Sequence, residues 1–263
     1  MGGWTSFLGR DGFRIDAYLV EPKEEPHGAL VLVEHLFGVD ANIQDVARRL
    51  AGEGYLTLAP ELYTRDNLRT RMDQQRLGAV MGILFRLPPE VQRDTDQVDK
   101  IISKEPPEIR ETAGAMLAIM RGTYRDRFVA DLVDAAAFLR RQHSALKVGT
   151  LGFCMGGGLA ARLAVEDAGV SACVIFYGEH PPLERLPGIG GPVLGLYGAL
   201  DTRITGAVPS FAAAMQKAGK SFTHHVYDGA QHAFFDDTKP SYHAQAAAAA
   251  WQETIGFLRR NLG

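Results

Sequence analysis

The chain has 263 residues, 46% of them apolar, which is enough for a sizeable core in one large domain or two small ones. Its 28 basic and 31 acidic residues leave a net charge of −3, a balance that argues against nucleic acid or an anionic membrane surface as partner. No apolar run approaches the roughly 18 residues of a membrane span, and the opening MGGWTSFLGRDG has neither the basic nor the apolar region of a secretion signal, so the expectation is a cytoplasmic protein.

Phe13–Val20 alternates apolar and polar residues and stops at Pro22, which predicts a half-buried strand near a sheet edge. Ala29–Val33 is a short continuous apolar run, the pattern of a strand covered on both faces. Ile43, Val46, Ala47 and Leu50 follow at helical spacing, Gly52 and Gly54 stop them, and Tyr55–Ala59 predicts the next strand. The stretch Thr64–Gly122 breaks this rhythm. It holds Pro88-Pro89 and Pro106-Pro107, and it places Ile109, Ala113, Met116, Leu117 and Met120 on one helical stripe. That is too long for a bare loop, so it is read as a helical insertion (residues 64–122), a candidate lid or an oligomer contact. Further strands are predicted at Val148–Phe153, Ala172–Tyr177, Val193–Tyr197 and Ser221–Val226, with helices at Gly157–Val165, Phe211–Lys217 and Tyr242–Arg260. Strands alternating with helices in this way predict an α/β fold with a mostly parallel central sheet, one domain over 1–263 carrying the insertion.

The segment Val148-Gly-Thr-Leu-Gly-Phe-Cys154-Met-Gly-Gly-Gly158 carries the most chemistry. It has the G-x-nucleophile-x-G form, with Cys154 where serine is commoner, between a predicted strand and a predicted helix. A nucleophile on such a turn is conformationally strained, and side chains two residues to either side would collide; Gly152 and Gly156 remove them. The helix that follows aims N–H groups and its positive dipole end at the sulfur, which favours thiolate, and the Met155 amide is placed as an oxyanion donor. The same local pattern also fits a phosphate-binding turn, or a cysteine serving only as a small buried hydrophobe.

Downstream residues extend the pattern. Gly198-Ala-Leu-Asp201 follows the Val193–Tyr197 strand, and Asp228-Gly-Ala-Gln-His232 follows the Ser221–Val226 strand. Both fall at carboxyl ends of strands, where sites on open parallel sheets gather. In the order nucleophile, acid, histidine, His232 would take the thiol proton and Asp201 would hold its tautomer. His27, His143, His180 and His243 are read as solvated, while His224 and His225 lie within a strand. Cys173, in a predicted buried strand, is read as core, and with two cysteines and no CxxC pair neither a disulfide framework nor a zinc site is expected.

On these motifs the chain resembles the dienelactone hydrolase family, the branch of the α/β-hydrolases with a Cys-Asp-His triad. The matching pieces are Val33-Glu-His-Leu-Phe-Gly-Val39, Leu58-Ala-Pro-Glu-Leu-Tyr63, Val148–Gly157, Tyr197-Gly-Ala-Leu-Asp201 and Gly229-Ala-Gln-His232-Ala-Phe234, from about residue 13 to the carboxyl end. The resemblance implies Cys154 as nucleophile, Asp201 as orienting acid, His232 as base and the Leu36 amide as second oxyanion donor. It implies no metal and no organic cofactor. Two positions depart from the family pattern. A family glutamate is replaced by His35, with Glu34 one residue earlier and, on a continuing strand, on the opposite face. A family arginine that grips a substrate carboxylate is replaced by Asp236, which would repel an anion. His35, Glu34 and Asp236 are therefore read as lying behind the reacting groups or on the substrate side, and a cationic His35 beside the sulfur would favour thiolate. The expected function is cysteine-dependent hydrolysis of small esters or lactones through a thioester acyl-enzyme. The competing reading is a thiol redox sensor or ligand-binding protein on the same fold. Oligomeric state is not legible.

Overall fold

The computed structural model describes residues 2–263, apart from the side chains of Pro89 and Arg93. The chain divides into two compact units: the residues up to Leu62 together with Arg127–Gly263, and Tyr63–Asp126.

The first unit is built on eight strands: β1 (Gly2–Leu8), β2 (Arg14–Val20), β3 (Gly28–Val33), β4 (Tyr55–Pro60), β5 (Val148–Phe153), β6 (Val170–Phe176), β7 (Val193–Gly198) and β8 (Phe222–Tyr227). They lie in the order β1-β2-β4-β3-β5-β6-β7-β8. The β1–β2 and β2–β4 pairs are antiparallel and all the others parallel, so the expected mostly parallel sheet is what the chain forms. Every residue of β3, β4, β5 and β7 is buried, the reason their sequences read as continuous apolar runs. β8 is the opposite case: it is an edge strand with four exposed residues, His224 and His225 among them.

Helices α1 (Ala41–Gly52) and α11 (Ala244–Asn261) share one apolar cluster with Leu30, Leu32, Leu151, Phe153, Val174 and Phe176 of the sheet. Helix α8 (Met155–Glu166) lies against β3, β5 and β6. Helix α7 (Arg125–Gln142) places Phe138 in a stack on Phe7 of β1, 5.5 Å between ring centres. The short α9 (Thr202–Thr205) and α10 (Val208–Lys217) connect β7 to β8. His243, expected to be solvated, instead caps α11: its Nδ1 accepts the Ala246 N–H at 3.2 Å, satisfying one of the donors a helix start leaves orphaned.

The second unit contains α2 (Leu68–Arg71), α3 (Gln74–Phe85), α4 (Pro89–Arg93), α5 (Thr95–Ile102) and α6 (Pro107–Met120), with a 3-10 turn at Leu62–Thr64 on its boundary. Asp73 and Asp94 cap α3 and α5, and prolines stand at the starts of α4 and α6, where a missing N–H costs nothing. Helices α3 and α6 pack together, and Arg71 bridges from α2 to Glu111 at 3.8 Å and to the Tyr124 hydroxyl at 3.4 Å. The buried stripe of α6 is Thr112, Ala113, Ala115, Met116 and Ile119; Met120, expected on that stripe, is exposed because it closes the helix one position past the packed face.

Candidate active site

Four turns at the carboxyl end of the sheet build the site. At the first, β5 ends at Phe153 and α8 begins at Met155, leaving Cys154 alone between them at φ 57°, ψ −118°. A side chain is rarely held there without cause. The Cys154 N–H donates to the Phe176 carbonyl at 3.0 Å, and glycines permit the bend. A Cβ on Gly152 would land on the Gly156 carbonyl oxygen, and a Cβ on Gly156 would land on the carbonyls of Val33 and Glu34. The first turn of α8 is thereby pressed against the end of β3. Met155, as the first helical residue, has an N–H with no acceptor inside the helix.

The second turn, Glu34–Gly38, follows β3. Gly38 N–H donates to the His35 carbonyl at 3.1 Å, and Phe37 N–H donates to His35 Nδ1 at 3.1 Å. Leu36 sits within this turn, whose first carbonyl, that of Glu34, lies against Gly156 of α8. β3 ends at Val33, so strand alternation does not place Glu34 and His35 on opposite faces, and both are buried. His35 Nε2 lies 3.4 Å from Asp40, the capping residue of α1. Burial pushes the His35 pKa below its ordinary value, against the pull of Asp40 and Asp236. Burial thus favours the neutral form of His35 and works against the cation that would have favoured thiolate.

The third and fourth turns bring the acid and the histidine. Asp201 stands just before α9, its carboxylate unused as a cap. Ala199 N–H donates to the Tyr227 carbonyl and Leu200 N–H to the Ala230 carbonyl, each at 2.9 Å, which ties the acid loop to the histidine loop. His232 Nδ1 donates to Asp201 Oδ2 at 2.6 Å, and its Nε2 lies 3.0 Å from Cys154 Sγ. Burial alone would lower the His232 pKa, but its hydrogen bonds to Asp201 and Cys154 outweigh this and raise it to about 10. Cys154, Asp201 and His232, spread over 78 residues of sequence, thus meet as one connected chain of donors and acceptors.

Asp236 is buried, and its Oδ1 accepts both the N–H and the hydroxyl of Thr238, at 3.0 and 2.7 Å. It closes the histidine loop, a carboxylate that the next turn can satisfy through its own N–H and hydroxyl. Two residues the sequence reading passed over lie close by. Lys239 carries its Nζ 4.2 Å from the centre of the Phe37 ring, next to Leu36. Tyr177, expected as the last residue of a strand, lies beyond β6 with its ring centre 5.1 Å from that of His232. Cys173, the second free thiol, is wholly buried within β6, and burial pushes its pKa up, so it is core as expected. Among the described residues, no group of His, Cys, Asp and Glu is arranged to hold a metal ion, and no helix is long and apolar enough to cross a membrane.

The model of the dienelactone hydrolase family matches residues 15–262, nearly the whole chain. This chain belongs to the dienelactone hydrolase family. Its family relatives include a protein of Saccharolobus solfataricus named carboxymethylenebutenolidase, 36% identical over 255 residues that make up 97% of each chain. A protein of the same name from Escherichia coli (strain K12) is 28% identical over 274 residues, covering 99% of this chain and 87% of the relative. Among solved structures, one from Klebsiella pneumoniae described as a dienelactone hydrolase superposes with a TM-score of 0.71 at 28% identity, covering 99% of this chain and 98% of that one. The family is one of hydrolases, and the fold expected from the motifs is the fold of its solved members.

Proposed function

We propose that this family member hydrolyses small esters or lactones through Cys154, and the observation that carries the reading is the 3.0 Å approach of Cys154 Sγ to a His232 held at its far nitrogen by Asp201. The raised basicity of the His232 imidazole favours passage of the Cys154 proton to it as the sulfur attacks. The thiolate adds to the substrate carbonyl, and the amides of Leu36 and Met155 receive the oxyanion. Collapse expels the alkoxide, which takes the proton from His232, leaving a thioester on Cys154. Neutral His232, its Nδ1–H committed to Asp201, then removes a proton from water as that water adds to the thioester. Expulsion of the sulfur releases the acid and restores the thiolate–imidazolium pair. The relatives' name denotes a lactone, which fits a sulfur leaving group better matched to activated esters than to amides.

The test is p-nitrophenyl acetate with intact protein and with Cys154→Ala. A stoichiometric burst of nitrophenolate followed by turnover is expected from the former, and a loss of at least about 10³-fold in rate from the latter. Unchanged turnover in Cys154→Ala overturns the proposal, whereas a peroxide-sensitive thiol with no burst favours the redox-sensor reading.

A further inference from the structure

Tyr177 combines three features that packing alone does not require. It is a bulky aromatic residue at φ 38°, in the left-handed region that such side chains avoid. Its ring is buried between Phe153 (6.1 Å between centres, interplanar angle 48°), Phe234 (5.4 Å, 71°) and His232 (5.1 Å, 61°). The backbone on either side is pinned: the Tyr177 N–H donates to the Leu196 carbonyl at 2.8 Å, and the following Gly178 is pressed so closely on the Gly157–Gly158 backbone that no side chain fits. An extended residue here would continue β6 past the site. The left-handed one turns the ring out of the strand and sets it against the imidazole.

We propose that Tyr177 is the positioning residue of His232: its ring fixes the plane of the imidazole, so that Nδ1 meets Asp201 while Nε2 meets Cys154, and so holds the thiolate–imidazolium pair together. An imidazole bonded at two opposite nitrogens can still rock about the line joining them, and a tilted aromatic contact on its side removes that freedom. The phenol stays protonated, because burial and the nearby Cys154 and Asp236 all push its pKa far up, so the ring adds no charge to the pair. The titratable and charged groups that act on the pair or on Tyr177 are Asp201 from the loop after β7, which bonds His232, and Asp236 of the histidine loop, which acts on Tyr177 and on His35; Asp40 and Lys239 act on His35 in turn.

This inference rests on the proposed Cys154–His232 chemistry, yet it is read without any substrate. Iodoacetamide alkylation of Cys154 is followed from pH 5 to 10 in the intact protein, Tyr177→Phe, Tyr177→Leu and Tyr177→Met, alongside thermal melts. The expected result is that Tyr177→Phe keeps the alkylation profile. Tyr177→Leu and Tyr177→Met, which fill the space without a ring, should lose the reactive shoulder near neutral pH, with alkylation there roughly three- to ten-fold slower. If Tyr177→Leu fails to fold, Tyr177→Met alone decides. A folded ringless variant with the native profile overturns the proposal, and so does a Tyr177→Phe variant that loses the shoulder as fully as the ringless ones. Failure of ester turnover with the alkylation pattern intact would count against the hydrolase reading and leave the role of Tyr177 standing.

Discussion

His232 and His35 pull the pH dependence of this protein in opposite directions. His232 is raised to about 10 in the folded chain from an ordinary 6.5, so the folded state holds its proton more tightly. The stability it contributes is fully present below about pH 6.5 and is lost as pH rises toward 10. His35 is lowered by burial, so its contribution is present above about pH 6.5 and is lost as pH falls through its depressed value. Melting temperature against pH should therefore decline on both sides of a maximum. In Asp201→Asn the alkaline decline should flatten, because one of the two partners that raise His232 is gone, while acylation by p-nitrophenyl acetate falls on the order of 10³-fold through loss of the correct tautomer. An alkaline limb that stays as steep in Asp201→Asn as in the native protein would contradict this account. Cys154, Asp201 and His232 could be singled out because each follows a strand pattern and the three stand in the family order. Tyr177 was not, because a left-handed tyrosine leaves no mark in a sequence whose neighbours, Val174, Ile175 and Phe176, all read as strand. The Asp236–Thr238 tie was not legible either, because spacing from His232 says nothing of which groups a carboxylate there will bind.

At the level of elements, the site depends on how closely α8 approaches β3. Gly156 is the point of contact, and a methyl group there meets backbone on the other side rather than a side chain that could swing away. Gly156→Ala should therefore destabilise the protein by about 3 kcal/mol in urea unfolding, and should also slow acylation by separating the Met155 amide from the Leu36 turn. A stable, fully active Gly156→Ala protein would show that the turn can yield. The central strands were readable because burial on both faces writes an uninterrupted apolar run, as in Ala29–Val33 and Val193–Tyr197. β1 escaped notice because Gly2, Gly3 and exposed Trp4 look like a loose terminus, and only pairing with β2 makes them a strand. α7 went unread as well, since its inner face includes buried Asp131 and Asp134, which blur the apolar stripe; Asp134 is there to receive Arg10 at 2.9 Å.

In the sheet, Cys154, Asp201 and His232 gather where parallel strands end, while the antiparallel strand β1 lies at the far edge. Stability and chemistry should be separable there. Deleting Gly2–Leu8 exposes one edge of β2 but leaves its pairing with β4 intact, so the melting temperature should fall by roughly 5–10 °C. The rate of Cys154 acylation should stay within about two-fold, since distant sites contribute independently. Loss of the burst in a folded deletion protein would show that the edge strand reaches the site.

The strand that leads into Cys154 pairs with β3 across a wide gap in the chain: the Thr150 hydroxyl bonds the Val31 carbonyl from 119 residues away. On the ribosome β3 is therefore finished long before its neighbour exists, with one edge open to whatever it meets. Joining distant segments carries a closure cost before any pairing rewards it, so refolding from denaturant should be slow for a chain of this size. Under the proposed chemistry, Cys154 can become competent only when that late-arriving strand is inserted into the middle of the sheet, so the newborn chain would carry no active thiol until its architecture is complete.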